Sequence, residues 1–183
     1  MGLDQYLYAS RHLPCYPHNG PEAKAKARIV CDAMNLPFSD DTSSLYARVQ
    51  IGYWRKANQI HGWLILNCAD NDPEKTHFDV SRESLKTLLA LCREVQSIAI
   101  LAPGKVSCGY TFENWVQTPI FKDGMTVTNA ADIAALLPPT PGFFFGSYEI
   151  DQWYMADIDH TIAILEAALA LDEDVDFEYV ASW

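Results

Sequence analysis

The stretch "YWRKANQIHGWLILN", residues 53–67, combines charged, polar and aromatic side chains and ends in an apolar run. Apolar or aromatic residues recur along it at helical spacing, at Tyr53, Ala57, Ile60 and Leu64. That spacing predicts a helix over residues 53–67 with one narrow face in the core. The residues next to this face are then the ones that a ligand could reach.

A neighbouring ridge of this predicted helix carries Trp54, Asn58 and His61, which are spaced as neighbours on a helix surface. We expect the ridge to be half-buried and to present an indole, an amide and an imidazole along one groove wall. Arg55 and Lys56 lie beside it. A tryptophan can stack on the ring of a ligand, and the two cations can bind its phosphate, so these residues suit an anionic, aromatic ligand. The alternative is that the aromatic residues fill the core, His61 bonds to the backbone and the cations are solvated.

The segments on either side of this stretch predict the fold class. Alternating or aromatic-rich segments predict strands over residues 3–9, 45–53, 77–81 and 176–183. Helical spacing predicts further helices over residues 22–34, 81–96 and 150–171. Strands at both ends and in the middle, with helices at irregular positions between them, favour an α+β fold. We expect a mainly antiparallel sheet with about three to four helices packed on it. The length of 183 residues suits a single domain over residues 1–183.

Two segments are less regular. Residues 103–142 contain several proline and glycine residues and predict an irregular excursion with one small helix, with a hairpin near residues 121–127 as an option. The run "GFFFGS", residues 142–147, predicts a short buried strand with close backbone approach at each end.

The charge balance excludes several classes of protein. Lys plus Arg total 13 against 24 Asp plus Glu, which gives a net charge of −11. General nucleic-acid binders need excess cations, so we expect no direct nucleic-acid binding. The same balance disfavours anionic membrane surfaces. The chain has neither a long apolar run nor a signal-peptide pattern, so we expect no membrane association and a cytoplasmic location.

Motifs for metals and cofactors are absent from the sequence. The five cysteines and five histidines have no metal-binding spacing, and no phosphate loop, dinucleotide fingerprint or nucleophile elbow occurs. We therefore expect no metal site and no cofactor.

A catalytic role is a second hypothesis. His61 would act as general acid or base, oriented by Asp4 or Asp157, with Arg55 or Lys56 stabilising negative charge. A hydrolase or transferase acting on a phosphate or glycosyl bond is the class that such a set favours. Asp4 could instead pair with one of the two cations, which is more often a structural arrangement.

Four motifs together resemble a family of uncharacterised proteins encoded by phages and prophages. They are "MGLDQYLY" at residues 1–8, "YWRKANQIHGW" at 53–63, "GFFFGSYEIDQWY" at 142–154 and "ASW" at 181–183. The resemblance follows the same order from first residue to last. The sequence departs from the family at Gln5, where methionine is usual, and carries additional material around residues 14–40 and 103–135. The resemblance implies a phage accessory protein in the host cytoplasm and supplies no reaction. The positions of this sequence that match the family pattern are Asp4, Tyr53, Trp54, Arg55, Lys56, Asn58, His61, Trp63, Phe144, Gly146, Ser182 and Trp183.

The leading hypothesis is therefore a phage accessory protein that binds a small, nucleotide-like anion, for example to sequester a host defence signal. Its pocket would be lined by Trp54, Asn58, His61 and a cation and closed by the terminal residues Ser182 and Trp183.

A third hypothesis is a module that inhibits a host protein. The exposed aromatic side chains Tyr110, Trp115 and Phe121 would supply its anchors.

Overall fold

Four strands form the main sheet of the protein: β1 (Asp4–Pro14), β2 (Ser44–Arg55), β3 (His77–Asp79) and β6 (Asp176–Ser182). They lie in the order β2-β1-β6-β3, and each neighbouring pair is antiparallel. A computed structural model describes residues 2–113, 116–142 and 144–183, with the backbone alone at residues 110, 112, 113, 116 and 117. The four strands predicted from alternation are confirmed.

Five α-helices lie in the described part of the chain. They are α1 (Gly20–Ala33), α2 (Asn58–Cys68), α3 (Arg82–Ile98), α4 (Ala130–Leu136) and α5 (Gln152–Leu169), with a short 3-10 helix (Pro17–Asn19) before α1. The α+β class and the antiparallel sheet are confirmed, with one helix more than the three to four expected. No helix in the described residues combines the length and apolar character needed to cross a membrane.

The core lies between the sheet and the helices α2, α3 and α5. Alternate residues of β1 and β6 point into it, since successive side chains of a strand face opposite sides. Leu3 and Leu7 from the β1 segment and Phe177, Tyr179 and Ala181 from β6 are all buried. They pack in one cluster with the apolar stripes of the three helices.

The helix predicted over residues 53–67 is wrong in its first part. Tyr53 and Trp54 continue β2, where they pair with Tyr6 and Gln5 of β1. Cross-strand hydrogen bonds and the β propensity of aromatic residues hold these positions extended. The strand ends at Arg55, and α2 begins only at Asn58. The stretch is therefore a strand, a turn and a helix, and consecutive residues face different directions.

The segment predicted as an irregular excursion is mostly regular. Strands β4 (Leu101–Glu113) and β5 (Val116–Val127) form a long antiparallel hairpin, and the small helix expected after it is α4. The prediction failed because cross-strand pairing is non-local and overrides the scattered Pro and Gly residues.

The strand predicted for "GFFFGS" is also wrong. The described residues of this run, 142 and 144–147, form an irregular loop. Phe144 and Gly146 adopt φ values of 67° and 98°, which extended strands do not allow. Phe145 is buried, whereas Phe144 is exposed. Phe143 lies outside the described residues.

We predict that Gly62→Ala destabilises the protein by about 1–3 kcal/mol. A Cβ on Gly62 would lie 1.8 Å from Oγ1 and 2.8 Å from Cβ of Thr140, so the loop after α4 would have to move. Intrinsic helix propensity alone predicts a gain of about 1 kcal/mol for the same change. Urea denaturation, with Leu66→Ala on the exposed side of α2 as the control, distinguishes the two. Unchanged or increased stability of Gly62→Ala contradicts the packing described.

Candidate functional site

The ridge predicted to line a groove is buried. Trp54, Asn58 and His61 are each 2% exposed. Trp54 lies on β2, where its Nε1 donates a hydrogen bond of 2.9 Å to Oγ1 of Thr161 on α5. The expectation of one half-buried groove wall is therefore wrong, because the turn at residues 56–57 separates Trp54 from the other two.

Asn58 holds the loop that follows α4. Its Nδ2 donates to the carbonyl oxygens of Phe145 (3.2 Å) and Ser147 (2.8 Å), and its Oδ1 accepts from the backbone nitrogen of Thr140 (3.0 Å). The amide thus pairs one buried and two partly buried backbone groups of the loop. Asn58 is a structural clamp rather than a ligand-binding side chain.

His61 belongs to a buried chain of hydrogen bonds. Its Nδ1 lies 2.8 Å from the hydroxyl of Tyr179, which donates to Oε1 of Gln5 at 2.9 Å. Nε2 of Gln5 in turn donates to the carbonyl of Ala57, which fixes the orientation of that amide. Because the tyrosine proton is directed at Gln5, Nδ1 of His61 is the donor to Tyr179. Burial also lowers the pKa of His61 to about 4, so the imidazole is neutral at pH 7.

The structure does not place either proposed carboxylate beside His61. Asp4 lies on the opposite face of β1 from Gln5, and it accepts a hydrogen bond of 2.5 Å from the hydroxyl of Tyr53. Among the described residues it forms no ion pair with Arg55 or Lys56. The acid–base pair of His61 and Asp4 is therefore wrong.

Two cavities flank the Asn58 clamp. The first, which we name the His61 cavity, has a volume of about 750 Å³. His61 and Trp63 of α2 line it together with Phe145 and Trp183, and the ring of Trp183 lies 5.3 Å from that of His61. Leu66 adds an exposed apolar side chain. The structure thus brings two predicted site residues, His61 and Trp183, into one cavity.

The second cavity, the Arg55–Lys56 cleft, has a volume of about 830 Å³. Both cations line it, together with the aromatic residues Phe144, Tyr148 and Trp153. Neither Arg55 nor Lys56 forms an ion pair with any described residue.

The predicted site is therefore divided. In the described structure, the linings of the two cavities leave out Tyr53, Trp54, Asn58 and Ser182. The loop around Phe145 is a wall of both cavities, together with Gln59.

The backbone holds Lys56 in a fixed place. Its φ of 64° is left-handed, which is unfavourable for a residue with a Cβ. Its aliphatic stem packs between two glycines: a Cβ on Gly2 would lie 3.0 Å from Cε of Lys56, and a Cβ on Gly146 would lie 3.0 Å from its Cβ. The two glycines thus give the lysine stem its room beside the cleft.

Phe144 is the second strained residue of this cleft. Among the described residues, the other non-glycine positions with positive φ are Asn35, Asp70 and Asn71, residue types that tolerate this conformation. Leu3 stabilises both strained residues, since its carbonyl accepts from the nitrogen of Lys56 (2.7 Å) and its nitrogen donates to the carbonyl of Phe144 (3.3 Å).

Three carboxylates also line the cleft. Asp151 accepts hydrogen bonds from the nitrogens of Trp153 and Tyr154 at the start of α5, and Glu149 is exposed. Burial raises the pKa of Asp157 to about 6, although a hydrogen bond from Gln59 acts against this shift. The negative charge of the cleft therefore decreases as the pH falls from 7 to 5.

The structure describes the side chain of one of the three anchors proposed for a host-protein inhibitor. Phe121 is exposed on β5. Trp115 lies outside the described residues, and the side chain of Tyr110 is likewise outside them.

Comparison with known proteins finds no matching family model, no significantly similar curated protein and no significantly similar solved structure. In the described part of the chain, no group of three or more His, Cys, Asp or Glu side chains could hold a metal ion.

Sequence reasoning missed several lining residues. Phe145, Tyr148 and Trp153 were not assigned to a site, although they lie within or just after the glycine-bracketed aromatic run. The two glycines that bracket the run are the signal that could have indicated a loop wall instead of a strand, because glycine readily adopts left-handed conformations.

We predict that Asp157→Asn stabilises the protein by about 1–2 kcal/mol at pH 8. The carboxyl prefers its protonated form in the folded state, so its ionisation above pH 6 opposes folding. The gain in stability disappears near pH 4, where Asp157 is already protonated in the folded wild-type protein. Denaturation at both pH values tests this, with Asp41→Asn at an exposed position as the control. An equal effect of Asp157→Asn at pH 8 and pH 4 contradicts the assignment.

His61 acts in the opposite direction. Its folded pKa of about 4 lies below its ordinary value of 6.5, so the unfolded chain binds the additional proton between these values. The contribution of His61 to the free energy of unfolding is therefore fully present above pH 6.5 and is lost as the pH falls towards 4. We expect Asp157→Asn to lose more stability than the wild-type protein over this range, because the opposing contribution of Asp157 is removed.

Proposed function

We propose that the protein binds a small anionic ligand with a flat ring, nucleotide-like in its chemistry, in the Arg55–Lys56 cleft. The observation that carries the proposal is the strained backbone of Lys56 and Phe144, two residues that both line this cleft. Left-handed conformations of such residues cost about 1–3 kcal/mol each and occur mainly where function requires them.

The charges of the cleft support an anionic ligand. Arg55 and Lys56 are exposed cations that form no ion pair with a described residue, in a chain whose net charge is −11. A guanidinium and an ammonium can together contact a phosphate group. Of the three carboxylates, Asp151 is engaged with backbone nitrogens of α5 and Asp157 with Gln59.

The aromatic residues support a ring in the ligand. Tyr148 and Trp153 are half-exposed in the same cleft, so their faces can stack on a base. Nζ of Lys122 lies 4.9 Å from the centre of the Trp153 ring and adds positive charge at this side. A ring and a phosphate held together are the minimal features of a nucleotide.

The resemblance to phage and prophage proteins supports a role for this binding. In an infected cell, a protein of this kind would act in the host cytoplasm and sequester a nucleotide signal of the host defence. Sequestration requires binding alone, and His61 is too weakly basic to favour the catalytic alternative and does not line this cleft.

Isothermal titration with nucleoside monophosphates, cyclic mononucleotides and cyclic dinucleotides tests the proposal. We expect Lys56→Gly and Arg55→Gln each to weaken binding about 10- to 100-fold, as expected for loss of a charged hydrogen bond. Glycine accepts the backbone conformation of residue 56, so Lys56→Gly should keep its free energy of unfolding. Lys86→Gln, on the surface of α3, is the matched control and should bind normally. No heat with any ligand from folded protein, or equal binding by Lys56→Gly, contradicts the proposal.

Binding should also depend on pH. A cyclic dinucleotide keeps its charge between pH 5.5 and 7.5, because its phosphodiesters lack the second phosphate pKa near 6. Protonation of Asp157 removes a negative charge from the cleft over this range, so affinity should increase severalfold at pH 5.5. Asp157→Asn should bind equally at both pH values. A wild-type affinity that is constant or decreases on acidification contradicts this part of the account.

A further inference from the structure

We infer that the His61 cavity is a second binding site, for an uncharged, flat heteroaromatic ligand that donates a hydrogen bond to Nε2 of His61. This site differs from the Arg55–Lys56 cleft in charge, in lining and in the ligand that it would accept.

The size and lining of the cavity fit a small molecule. Its volume of about 750 Å³ lies within the usual range of ligand pockets. The walls are largely apolar, with Trp63, Phe145 and Trp183 as aromatic residues and Pro138 and Pro141 as aliphatic ones.

The charge of the cavity excludes an anionic ligand. No lysine or arginine belongs to the described residues that line it, and the one charged side chain among them is the exposed carboxylate of Glu74. His61 contributes no positive charge at pH 7, since its imidazole is neutral. An anion would thus lose its hydration without gaining a cation.

His61 offers an acceptor of fixed direction. The chain from Ala57 through Gln5 and Tyr179 makes Nδ1 the donor, which leaves the lone pair on Nε2. Nε2 lies on the edge of the imidazole that is turned away from Tyr179, and none of the described residues donates a hydrogen bond to it. A side chain that is 2% exposed and lines a cavity thus carries an unused acceptor, which a ligand donor can satisfy.

The surrounding rings favour a planar ligand. The imidazole is inclined at 89° to Phe145 and at 66° to Trp183, with ring centres 5.1 and 5.3 Å away. A donor bonded to Nε2 extends in the plane of the imidazole, and a flat ring in that plane meets steeply inclined aromatic neighbours. Such edge-to-face arrangements are favourable for aromatic pairs.

Indole and benzofuran are matched probes for this site. They have nearly the same shape, but only indole carries an N–H donor. Burial of apolar area alone predicts that benzofuran, the less polar molecule, binds at least as tightly. The hydrogen bond to Nε2 predicts that indole binds about five- to tenfold more tightly. Titrations followed by the indole N–H signals of Trp63 and Trp183 in 15N–1H spectra measure both affinities and locate the site.

Two variants give the control. Leu66→Glu places a charge at an exposed position of the cavity, whereas Ile29→Glu makes the same kind of change on α1, away from it. We expect Leu66→Glu to weaken indole binding at least tenfold and Ile29→Glu to leave it unchanged.

A tighter affinity for indole that is sensitive to Leu66→Glu supports the inference. Three results would overturn it: neither probe binds, benzofuran binds as tightly as indole or more tightly, or Leu66→Glu binds indole as tightly as the wild-type protein. These outcomes are independent of anion binding at the Arg55–Lys56 cleft, since indole carries no charge.

Discussion

The side-chain amide of Asn58 is the contact on which both cavities depend. It joins the start of α2 to three backbone groups of the loop at residues 140–147. Each hydrogen bond contributes about 1 kcal/mol, and leaving the buried carbonyl of Phe145 unpaired would cost about 1–3 kcal/mol. The loop has no strand or helix of its own in its described residues, so this amide and the packing of Phe145 determine its path.

Leu3 adds a second constraint on the same loop. Its backbone bonds to both Lys56 and Phe144, and its side chain is fully buried. Leu3 thus ties both left-handed residues to the segment that leads into β1 of the main sheet. In the proposed binding, the cleft would present its lysine without reorganisation, which would reduce the entropic cost of association.

The sequence allowed much of the fold to be predicted, and less of the site. Alternation in β6 and helical spacing in α5 predicted these two elements, because both patterns are local. The junction at Tyr53–Ala57 was misread, because apolar spacing at the end of a strand can match the beginning of a helix, and only pairing with β1 decides between them.

Residue types at the candidate site were informative, since Arg55, Lys56, His61 and Trp183 do line cavities. Their division between two cavities depends on the turn at Lys56, and periodicity does not report a single left-handed residue.

Amide hydrogen exchange of Asn58→Ala tests most directly whether this side chain holds the loop as a unit. The informative amides are those of Leu3 and Phe145, which bond to the carbonyls of Phe144 and Gly142 and not to Asn58. We expect both to exchange faster in the variant, together with Thr140, while amides of β6 keep their protection. Faster exchange at Thr140 alone, with Leu3 and Phe145 unchanged, would contradict the account, since the loop would then keep its position without the clamp.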